Sequence, residues 1–451
     1  MQYPSKRTSK SWMGLSALGL TGVLVGAAAP AHADSKTGWE LGYESSVFFE
    51  DGKRPDNASG TDSDPLKQRT NNSVSVEFEY FTRWADGTQS FTFIPFYRYD
   101  ETDSERTHFD VREMLWHQVG DEYELKAGVG KVFWGVTESA HLVDIVNQTD
   151  AVEAIDGEDK LGQPMVQLML EEDWGNLDLF LLPYHRERTF AGENTRLSTG
   201  LKKADALYEA KGEESNVDFA ARWTSHLGEL EYGLSYFHGT SREPTLGIKV
   251  NSDGSAELLP YYPLIQQFGL ELQYLYEDWA FKMESIYRQG TPRNDVAFSG
   301  AKVGVYDQAA IPAFLLPASF AIGEEEDYYA NVAGFEYTRV GIFDSRMDLG
   351  WVVEHLYDSR GDEASVAANE HDVLLATRWV FNDVDDSEIL AGVFYDYEYE
   401  DYSLSVEANT RMFDSVTVEL EARAFMIEDE ENPQYDFRTE DFVKLSVAYF
   451  Y

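Results

Sequence analysis

The stretch that decides the fold is Lys444-Leu-Ser-Val-Ala-Tyr-Phe-Tyr451, at the end of the chain. Apolar side chains alternate there with small or polar ones: one face carries Val443, Leu445, Val447, Tyr449 and Tyr451, and the other carries Lys444, Ser446 and Ala448. Such period-two alternation is typical of a half-exposed strand. In a soluble protein an apolar edge strand invites aggregation, whereas in a closed barrel it pairs with the first strand. We therefore predict a closed barrel, with an ordinary edge strand as the alternative.

The same ending resembles the C-terminal signal of Gram-negative outer-membrane proteins. That signal has a polar residue, a small residue two positions later, and then two hydrophobic or aromatic residues. Lys444, Ser446, Tyr449 and Tyr451 match it, with Ser where Gly is commoner. The resemblance implies an assembly signal that is read by the barrel-assembly machinery.

The first 33 residues have the organisation of a secretory signal peptide. Basic residues precede an apolar run from Met13 to Ala29, and Ala31-His32-Ala33 forms a cleavage site with small residues at its two key positions. A transmembrane anchor is the alternative, but the run is short and rich in Gly and Ala. We expect export, with residues 34–451 forming a single barrel domain.

Composition narrows the class of protein further. The chain contains no cysteine, which excludes disulfides, thiolate metal sites and a cysteine nucleophile. The 27 tyrosines and 27 phenylalanines suit a sheet that meets water at two levels. Removing the three basic residues of the signal segment lowers the formal charge from −45 to −48, so nucleic acid is excluded as a partner. The acidic surface fits a saline habitat or divalent cations that bridge to lipopolysaccharide.

From Gly38 onward the sequence shows alternating segments of about 10 residues, the length of a membrane-spanning strand. A soluble sandwich alternates too, but here the connections also alternate in length. Short turns occur at Ala85-Asp-Gly, Gly120-Asp-Glu, Glu172-Asp-Trp-Gly, Leu227-Gly-Glu, Glu277-Asp-Trp, Gly341-Ile-Phe-Asp, Asp383-Val-Asp-Asp and Phe413-Asp-Ser. Between them lie longer acidic stretches at 51–71, 135–163, 184–216, 241–264, 290–327, 358–370 and 428–440, and shorter ones near 100–107 and 399–402. We predict an all-β transmembrane antiparallel barrel of about 18 strands, with short periplasmic turns, long outer loops and both termini on the periplasmic side.

A barrel of this size leaves an aqueous lumen unless its loops fill it. The residues that we predict to line the lumen are Arg112, Glu113, Glu138, Asp144, Asp150, Glu153, Arg186, Arg188, Glu271, Lys282, Glu284, Arg288, Glu336, Glu354, Arg378, Glu407, Arg411, Glu419, Glu421 and Arg423. Opposed charges in a narrow lumen orient polar solutes and reject apolar ones. The alternative is that these pairs only connect and hydrate the wall.

The most distinctive stretch runs from Arg112-Glu113 to Gly130-Lys-Val-Phe-Trp134-Gly135-Val-Thr-Glu138. It resembles a family of Gram-negative outer-membrane barrels that is mostly of unknown function. That family shows an Arg-Glu pair, a Gly-Arg/Lys-x-x-x-Trp-Gly-x-x-Glu run and a proline-containing return, here Leu161-Gly-Gln-Pro-Met165. Lys131 stands where Arg-Gln is usual. The resemblance implies a porin-like barrel, and more remotely one like the alginate-export porins, although this chain lacks the positive pore lining expected of an alginate exporter.

The segment Val136–Gly162 is the predicted gate of the barrel. Its residues 141–147 and 151–155 mix apolar and polar side chains at helical spacing, so we expect a short helix in a loop that folds into the lumen. The alternative is a helical cap on the outer rim. The next loop begins Tyr184-His-Arg-Glu-Arg188, a basic cluster that could face Asp144, Asp150 and Glu153 or form a plain surface ion pair.

Enzyme signatures are weak in this sequence. The nine histidines have no recurring partner spacing, and no G-x-S-x-G, H-E-x-x-H or phosphate loop occurs. The acidic runs at 323–327 and 428–431 could hold divalent cations loosely, but they lack the spacing of a dedicated calcium loop. We expect no cofactor.

Together these features favour a passive outer-membrane channel for small hydrophilic solutes, with a preference for cations. A structural or adhesive barrel closed by its loops is the second hypothesis, and a hydrolase at the rim is the third. The sequence is compatible with a homo-oligomer, and it identifies neither the solute nor the direction of transport.

Overall fold

The computed structural model describes residues 34–52, 66–154, 156–251, 255–292, 325–361, 370–430, 432 and 434–451. The expected signal peptide therefore lies outside the described residues. So do most of the outer loop at 290–327 and parts of the acidic runs at 323–327 and 428–431.

The described chain is almost entirely strands and connections. The strands, in chain order, are β1 Asp34–Phe48, β2 Thr70–Trp84, β3 Gln89–Asp100, β4 His108–Val119, β5 Tyr123–Gly130, β6 Gln163–Glu172, β7 Gly175–Leu182, β8 Lys202–Lys203, β9 Leu207–Tyr208, β10 Asp218–Leu227, β11 Leu230–Thr240, β12 Thr245–Val250, β13 Ala256–Tyr262, β14 Leu264–Tyr276, β15 Trp279–Pro292, β16 Glu325–Arg339, β17 Asp348–Asp358, β18 His371–Val380, β19 Glu388–Asp396, β20 Tyr402–Met412, β21 Val416–Met426 and β22 Phe442–Phe450. Helical structure in the described ranges is limited to short 3₁₀ turns at Ala85–Gly87, Glu213–Ser215, Ile342–Asp344 and Tyr435–Thr439.

Eighteen of these strands form one closed antiparallel sheet, as the sequence predicts. Each wall strand pairs with the next one along the chain, and β22 closes the barrel by pairing with β1. Tyr449 lies opposite Leu41, and the backbone N–H groups of Tyr451 and Trp39 each donate to the other residue's carbonyl, at 2.9 and 2.8 Å. Closure leaves no free edge, so every wall strand has partners on both sides.

The connections alternate as predicted. All eight short turns identified in the sequence join wall strands at one end of the barrel, and the longer loops lie at the other end. As predicted, the start of β1 and the end of β22 lie at the end with the short turns. The small strands β8, β9, β12 and β13 form a separate sheet within two of the long loops. In it, β12 and β13 are antiparallel, while β8 and β9 each pair with β13 in parallel.

The outer surface of the barrel is apolar and has aromatic side chains at two levels. Near the short turns lie Tyr274, Tyr276, Trp279, Tyr337 and Trp351, whereas Tyr97, Tyr99, Tyr287, Tyr329 and Tyr357 lie toward the long loops. This is the surface of a barrel that spans an outer membrane, with aromatic residues at both interfaces. No helix in the described ranges is long and apolar enough to cross a membrane.

Candidate functional site: the lumen loop and its contacts

The segment between β5 and β6, residues 131–162, lies inside the barrel; we call it the lumen loop. Trp134, Val143, Ile145 and Val146 form its buried apolar part. They pack against inward side chains from the wall, namely Met165, Phe180, Ala220, Phe237, Ile265, Ile286, Tyr328 and Ala330. Burial of this apolar face holds the loop inside, which agrees with the infolded arrangement and not with a cap on the rim.

Glu284 on β15 anchors the middle of the lumen loop. Its Oε1 accepts hydrogen bonds from the backbone N–H groups of Val136 at 2.7 Å and Thr137 at 3.0 Å, and from the Thr137 hydroxyl at 2.7 Å. The Glu284 side chain is fully buried. Gly135 allows the backbone of the loop to come this close to Glu284: its φ is 135°, and a Cβ at this position would lie 2.8 Å from Glu284 Oε1.

A second wall carboxylate binds the next residues of the loop. Glu354 on β17 accepts from the backbone N–H groups of Glu138 at 2.8 Å and Ser139 at 2.7 Å. The side chain of Glu138 in turn forms an ion pair with Arg378 on β18. Hydrogen bonds to an ionised acceptor contribute about 1.5–3 kcal/mol each, so these contacts hold the loop firmly on this side of the barrel.

The other half of the loop docks on other strands of the wall. Glu153 lies 2.9 Å from Arg98 on β3, and Asp156 lies 2.9 Å from Arg423 on β21. The lumen loop therefore spans the interior from β15, β17 and β18 to β3 and β21, and it narrows the lumen.

The prediction of a short helix within the loop is wrong. The described residues of 131–162 contain no helix, because their backbone groups are hydrogen-bonded to wall carboxylates and to side chains of the loop itself. Asn147 shows this most clearly: its Nδ2 donates to the carbonyls of Gly130 at 3.0 Å and Leu161 at 2.7 Å, and its Oδ1 accepts from the N–H of Val132 at 2.9 Å. One asparagine thus ties together the two ends of the loop.

Arg112 and Glu113 are adjacent in sequence, yet both point inward. A β-bulge explains this: Glu113 pairs with Ile94 and Val111 pairs with Pro95, so Arg112 is the extra residue of β4. Arg112 is buried, with its guanidinium 4.9 Å from the centre of the Phe96 ring. Period-two alternation predicts opposite faces for such neighbours, and only the bulge allows both to reach the lumen.

The basic cluster after β7 has a different partner from the one expected. Arg186 forms an ion pair with Asp110 on β4 at 3.2 Å and donates to the carbonyl of Gly162 at 3.0 Å. It does not pair with Asp144, Asp150 or Glu153 among the described contacts. The backbone N–H of Arg188 donates to the hydroxyl of Tyr262 at 2.8 Å. The cluster therefore supports the end of the lumen loop through β4 and the small sheet.

The remaining predicted wall charges are paired along the lumen. Arg222 Nε donates to Glu271 at 3.1 Å, Lys282 pairs with Glu336 at 3.0 Å, and Arg288 pairs with Glu243 at 3.1 Å. Near the closure of the barrel the charged side chains are Glu407, Glu419, Glu421, Arg423 and Lys444. Arg411 is half exposed beside Asp386 of a short turn, so it lies at the periplasmic rim.

Open space remains on both sides of the loop. One cavity of about 470 Å³ is lined by Ser90, Glu113, His117, Lys126, Lys131 and Arg222, with other wall residues. On the opposite side Glu158 of the loop is exposed, and the side chains of Asp156 and of Glu407 on β20 are 26% and 46% exposed. These three carboxylates therefore meet water inside the barrel.

The surroundings of the loop shift the pKa values of several of its groups. Desolvation inside the barrel, together with the nearby Asp156 carboxylate, raises the pKa of Glu158 to about 7. Burial raises the pKa of Asp144 to about 6. Burial also raises the pKa of Asp159 to about 8, although Lys131 and Arg112 oppose the shift. The lumen loop has seven carboxylates, two lysines and no arginines. Because several of these carboxyl pKa values are raised, the loop carries less negative charge near neutral pH than this formal count indicates.

Sequence reasoning missed the partners of the loop on β3, at the start of β4 and between these two strands. Arg98 alternates with inward Phe96 and Asp100, so strand periodicity could have found it. Arg106, which pairs with Glu44 at 2.6 Å, and His108, which lies 3.9 Å from Glu153, had no comparable local signal.

No family model matches this chain, and no curated protein matches it. Solved structures with a similar overall shape include OprB of Pseudomonas putida, which is 10% identical over 92% of this chain and 94% of its own, with a TM-score of 0.46. They also include OccK11 (OpdR) of Pseudomonas aeruginosa, 9% identical over 93% and 95%, with a TM-score of 0.47. The outer membrane channel DcaP of Acinetobacter baumannii is 11% identical over 94% and 99%, with a TM-score of 0.41. These similarities concern the overall shape alone, so the function of this chain is inferred from its own residues and contacts.

Proposed function

We propose that this protein is a passive outer-membrane channel for small hydrophilic solutes, with a preference for cations. The observation that carries the proposal is the lumen loop, which crosses a charged interior and leaves Asp156 and Glu158 exposed beside Glu407. A polar lumen narrowed by an infolded loop suits permeation of small polar solutes rather than apolar ones.

The cation preference follows from how the charges are distributed. Arg423 is shared by Asp156 at 2.9 Å, Glu407 at 2.8 Å and Glu421 at 2.9 Å, and Lys444 also pairs with Glu421 at 2.5 Å. Two basic side chains cannot neutralise these three carboxylates, and Glu158 adds a fourth when it is ionised. Excess carboxylate in a narrow passage raises the local concentration of cations and repels anions.

Reversal potentials in a planar bilayer test the proposal directly. Wild-type protein in a gradient of KCl should give a potential of the sign expected for cation flow. The double variant D156N/E158Q should shift that potential toward zero, whereas E257Q, which alters a carboxylate of the small sheet, should leave it near the wild-type value. Anion preference in the wild type would contradict the cation assignment, and absence of conductance would contradict the channel.

A structural or adhesive barrel is the second candidate, because the small sheet contributes a buried cluster to the long-loop end of the molecule. Leu258, Tyr261 and Tyr262 are buried there, and the rings of Tyr208 and Tyr262 stack 5.2 Å apart. If these loops close the lumen, the refolded protein will show no conductance steps. Conductance that is blocked by polar solutes would instead favour the channel.

A further inference from the structure

We propose that His108, Asp150 and Glu153 form a binding site for a divalent transition-metal ion inside the barrel. His108 begins β4 of the wall, while Asp150 and Glu153 belong to the lumen loop. One potential ligand atom from each residue lies within 4.8 Å of the other two, and His108 Nε2 is 3.9 Å from Glu153 Oε1. One imidazole and two carboxylates thus converge from two separate parts of the chain.

In each of the three side chains, the polar atom that is not the proposed ligand contacts a neighbouring group, and this contact orients the side chain. His108 Nδ1 lies 2.9 Å from the carbonyl of Arg106, which places the ring proton on Nδ1 and the lone pair on Nε2. Asp150 Oδ1 accepts from the hydroxyl of Thr189 at 2.7 Å, and Glu153 Oε2 lies 2.9 Å from Arg98. Such supporting partners are a regular feature of metal-ligating histidines and carboxylates.

The atoms that face one another have no hydrogen-bond partner. His108 Nε2, Asp150 Oδ2 and Glu153 Oε1 are all buried and unsatisfied, and the three side chains are more than nine-tenths buried. Buried acceptors are normally paired because an unpaired one loses its hydration without compensation. Three buried ligand groups this close together, each with an unsatisfied atom, are what a cation would satisfy.

Wall carboxylates share the arginines that surround the site. Arg98 and Arg106 pair with Glu44 at 2.8 and 2.6 Å, and Arg106 also pairs with Asp100 at 3.1 Å. These arginines therefore leave Asp150 Oδ2 and Glu153 Oε1 without a hydrogen-bond partner.

The ligand set indicates which metals to expect. An imidazole with two carboxylates suits Zn²⁺, Mn²⁺, Fe²⁺, Co²⁺ or Ni²⁺, whereas Ca²⁺ and Mg²⁺ prefer oxygen ligands alone. Metal–ligand bonds of about 2.1 Å put neighbouring ligand atoms roughly 3 to 4 Å apart, so small side-chain rotations are sufficient to close the site. Three protein ligands leave positions for water or solute.

A bound ion would fasten the lumen loop to the wall at β4, on the side away from Glu284 and Glu354. The proposal does not depend on channel function, because metal binding is measurable whether or not the barrel conducts. A barrel that binds the ion but shows no conductance would keep this site and overturn only the proposed function.

Titration of the full barrel in detergent with Co²⁺, after treatment with a chelator, tests the site. Co²⁺ gives visible absorption bands that depend on its ligands, and we expect saturation at one ion per barrel. The variants H108F, D150N and E153Q should each bind at least about tenfold more weakly. H117F is the matched control, because His117 lies on the same strand and, within the described part of the chain, pairs with a single carboxylate, Glu124, at 2.9 Å.

Two results would overturn the proposal. One is the absence of stoichiometric Co²⁺ binding to the wild type, a measurement that needs no variant. This result would mean that the surrounding arginines already satisfy Asp150 and Glu153. The other is equal binding by the wild type and H108F, which would place the ion on other acidic groups. Migration of unheated samples on a gel verifies that each variant is folded.

Discussion

Thr137 donates its backbone N–H to the carboxylate of Glu284 at 3.0 Å, although the two residues are 147 positions apart in the sequence. The same carboxylate oxygen also accepts from the N–H of Val136 and the hydroxyl of Thr137. This buried carboxylate replaces the hydrogen bonds that a helix would have formed within the loop. It therefore determines both where the loop lies and the conformation that it adopts.

Removing this acceptor should loosen the lumen loop. In E284A the backbone N–H groups of Val136, Thr137 and Val143 lose an acceptor, and the Thr137 hydroxyl keeps only the carbonyl of Ala140. Each lost bond to a charged acceptor costs about 1.5–3 kcal/mol of docking free energy. We expect faster cleavage by trypsin at Lys160 and noisier open-channel current. E271Q is the control, because Glu271 pairs with Arg222 on the wall and holds no backbone group of the loop. Equal protease resistance of E284A and the wild type would show that the apolar contacts of the loop hold it without Glu284.

Replacing Val136–Gly162 by a short Gly-Ser link should widen the passage. The deletion removes the segment that spans the lumen and, with it, Asp156 and Glu158. Single-channel conductance should rise and cation preference should fall together, because the same segment provides both constriction and charge. Unchanged values of both would place the constriction elsewhere in the barrel.

Cation preference should depend on pH near neutrality through Glu158, whose pKa is raised to about 7. Below pH 7 this carboxyl is protonated and neutral, so the preference should weaken; above pH 7 it is ionised, so the preference should strengthen. The charged groups that act on it are Asp156, Glu138, Glu407 and His141. Burial opposes protonation of His141, but the Glu284 carboxylate, 3.9 Å from Nδ1, raises the pKa of its ring overall, so its protonation adds positive charge in the same direction.

Reversal potentials between pH 5 and pH 9, a range of about two units on either side of that pKa, measure this effect. E158Q should flatten the profile around pH 7, and E158D should retain it because aspartate keeps the charge. In about 1 M salt the Debye length is only 3 Å, so the preference should fade at every pH. A wild-type profile without change around pH 7 would exclude Glu158 from the conduction path.

Loss of the last three residues should impair barrel closure. Deleting Tyr449–Tyr451 removes the pairing of Tyr449 with Leu41 and both backbone hydrogen bonds between Tyr451 and Trp39. It also removes the aromatic end of the assembly signal, so less protein should reach the outer membrane in folded form. Y451A is the matched control, since it keeps the backbone pairing.

Heat-modifiable migration on a gel measures the folded fraction, because a closed barrel resists detergent until it is boiled. The deletion variant should show less of the band seen in unheated samples than Y451A does. A folded fraction equal to that of the wild type would mean that β22 closes without its last residues.

The sequence by itself determined the barrel. Strand pleating forces side chains to alternate, so segments such as β14, β15 and β22 could be recognised from local periodicity, and the turn residues divided them into strands. The same periodicity placed Glu271, Glu284 and Glu354 inside, because facing the lumen is a property of each strand alone. The inward folding of residues 136–162 could be predicted from their apolar side chains, which are more stable when buried away from water.

Only the tertiary structure decided what those inward groups contact. The docking of Thr137 on Glu284, the pairing of Arg186 with Asp110 and the convergence of His108 on Asp150 and Glu153 join segments that are distant in the chain. No local pattern encodes such contacts, since they depend on barrel closure and on the path of the loop. The bulge that turns both Arg112 and Glu113 inward breaks the period-two rule, and the extended lumen loop lacks the helix that its spacing favours. In the loop, hydrogen bonds to the surrounding wall outweigh the local preference of the backbone. In β4, the extra residue of the bulge changes which face the following side chains occupy.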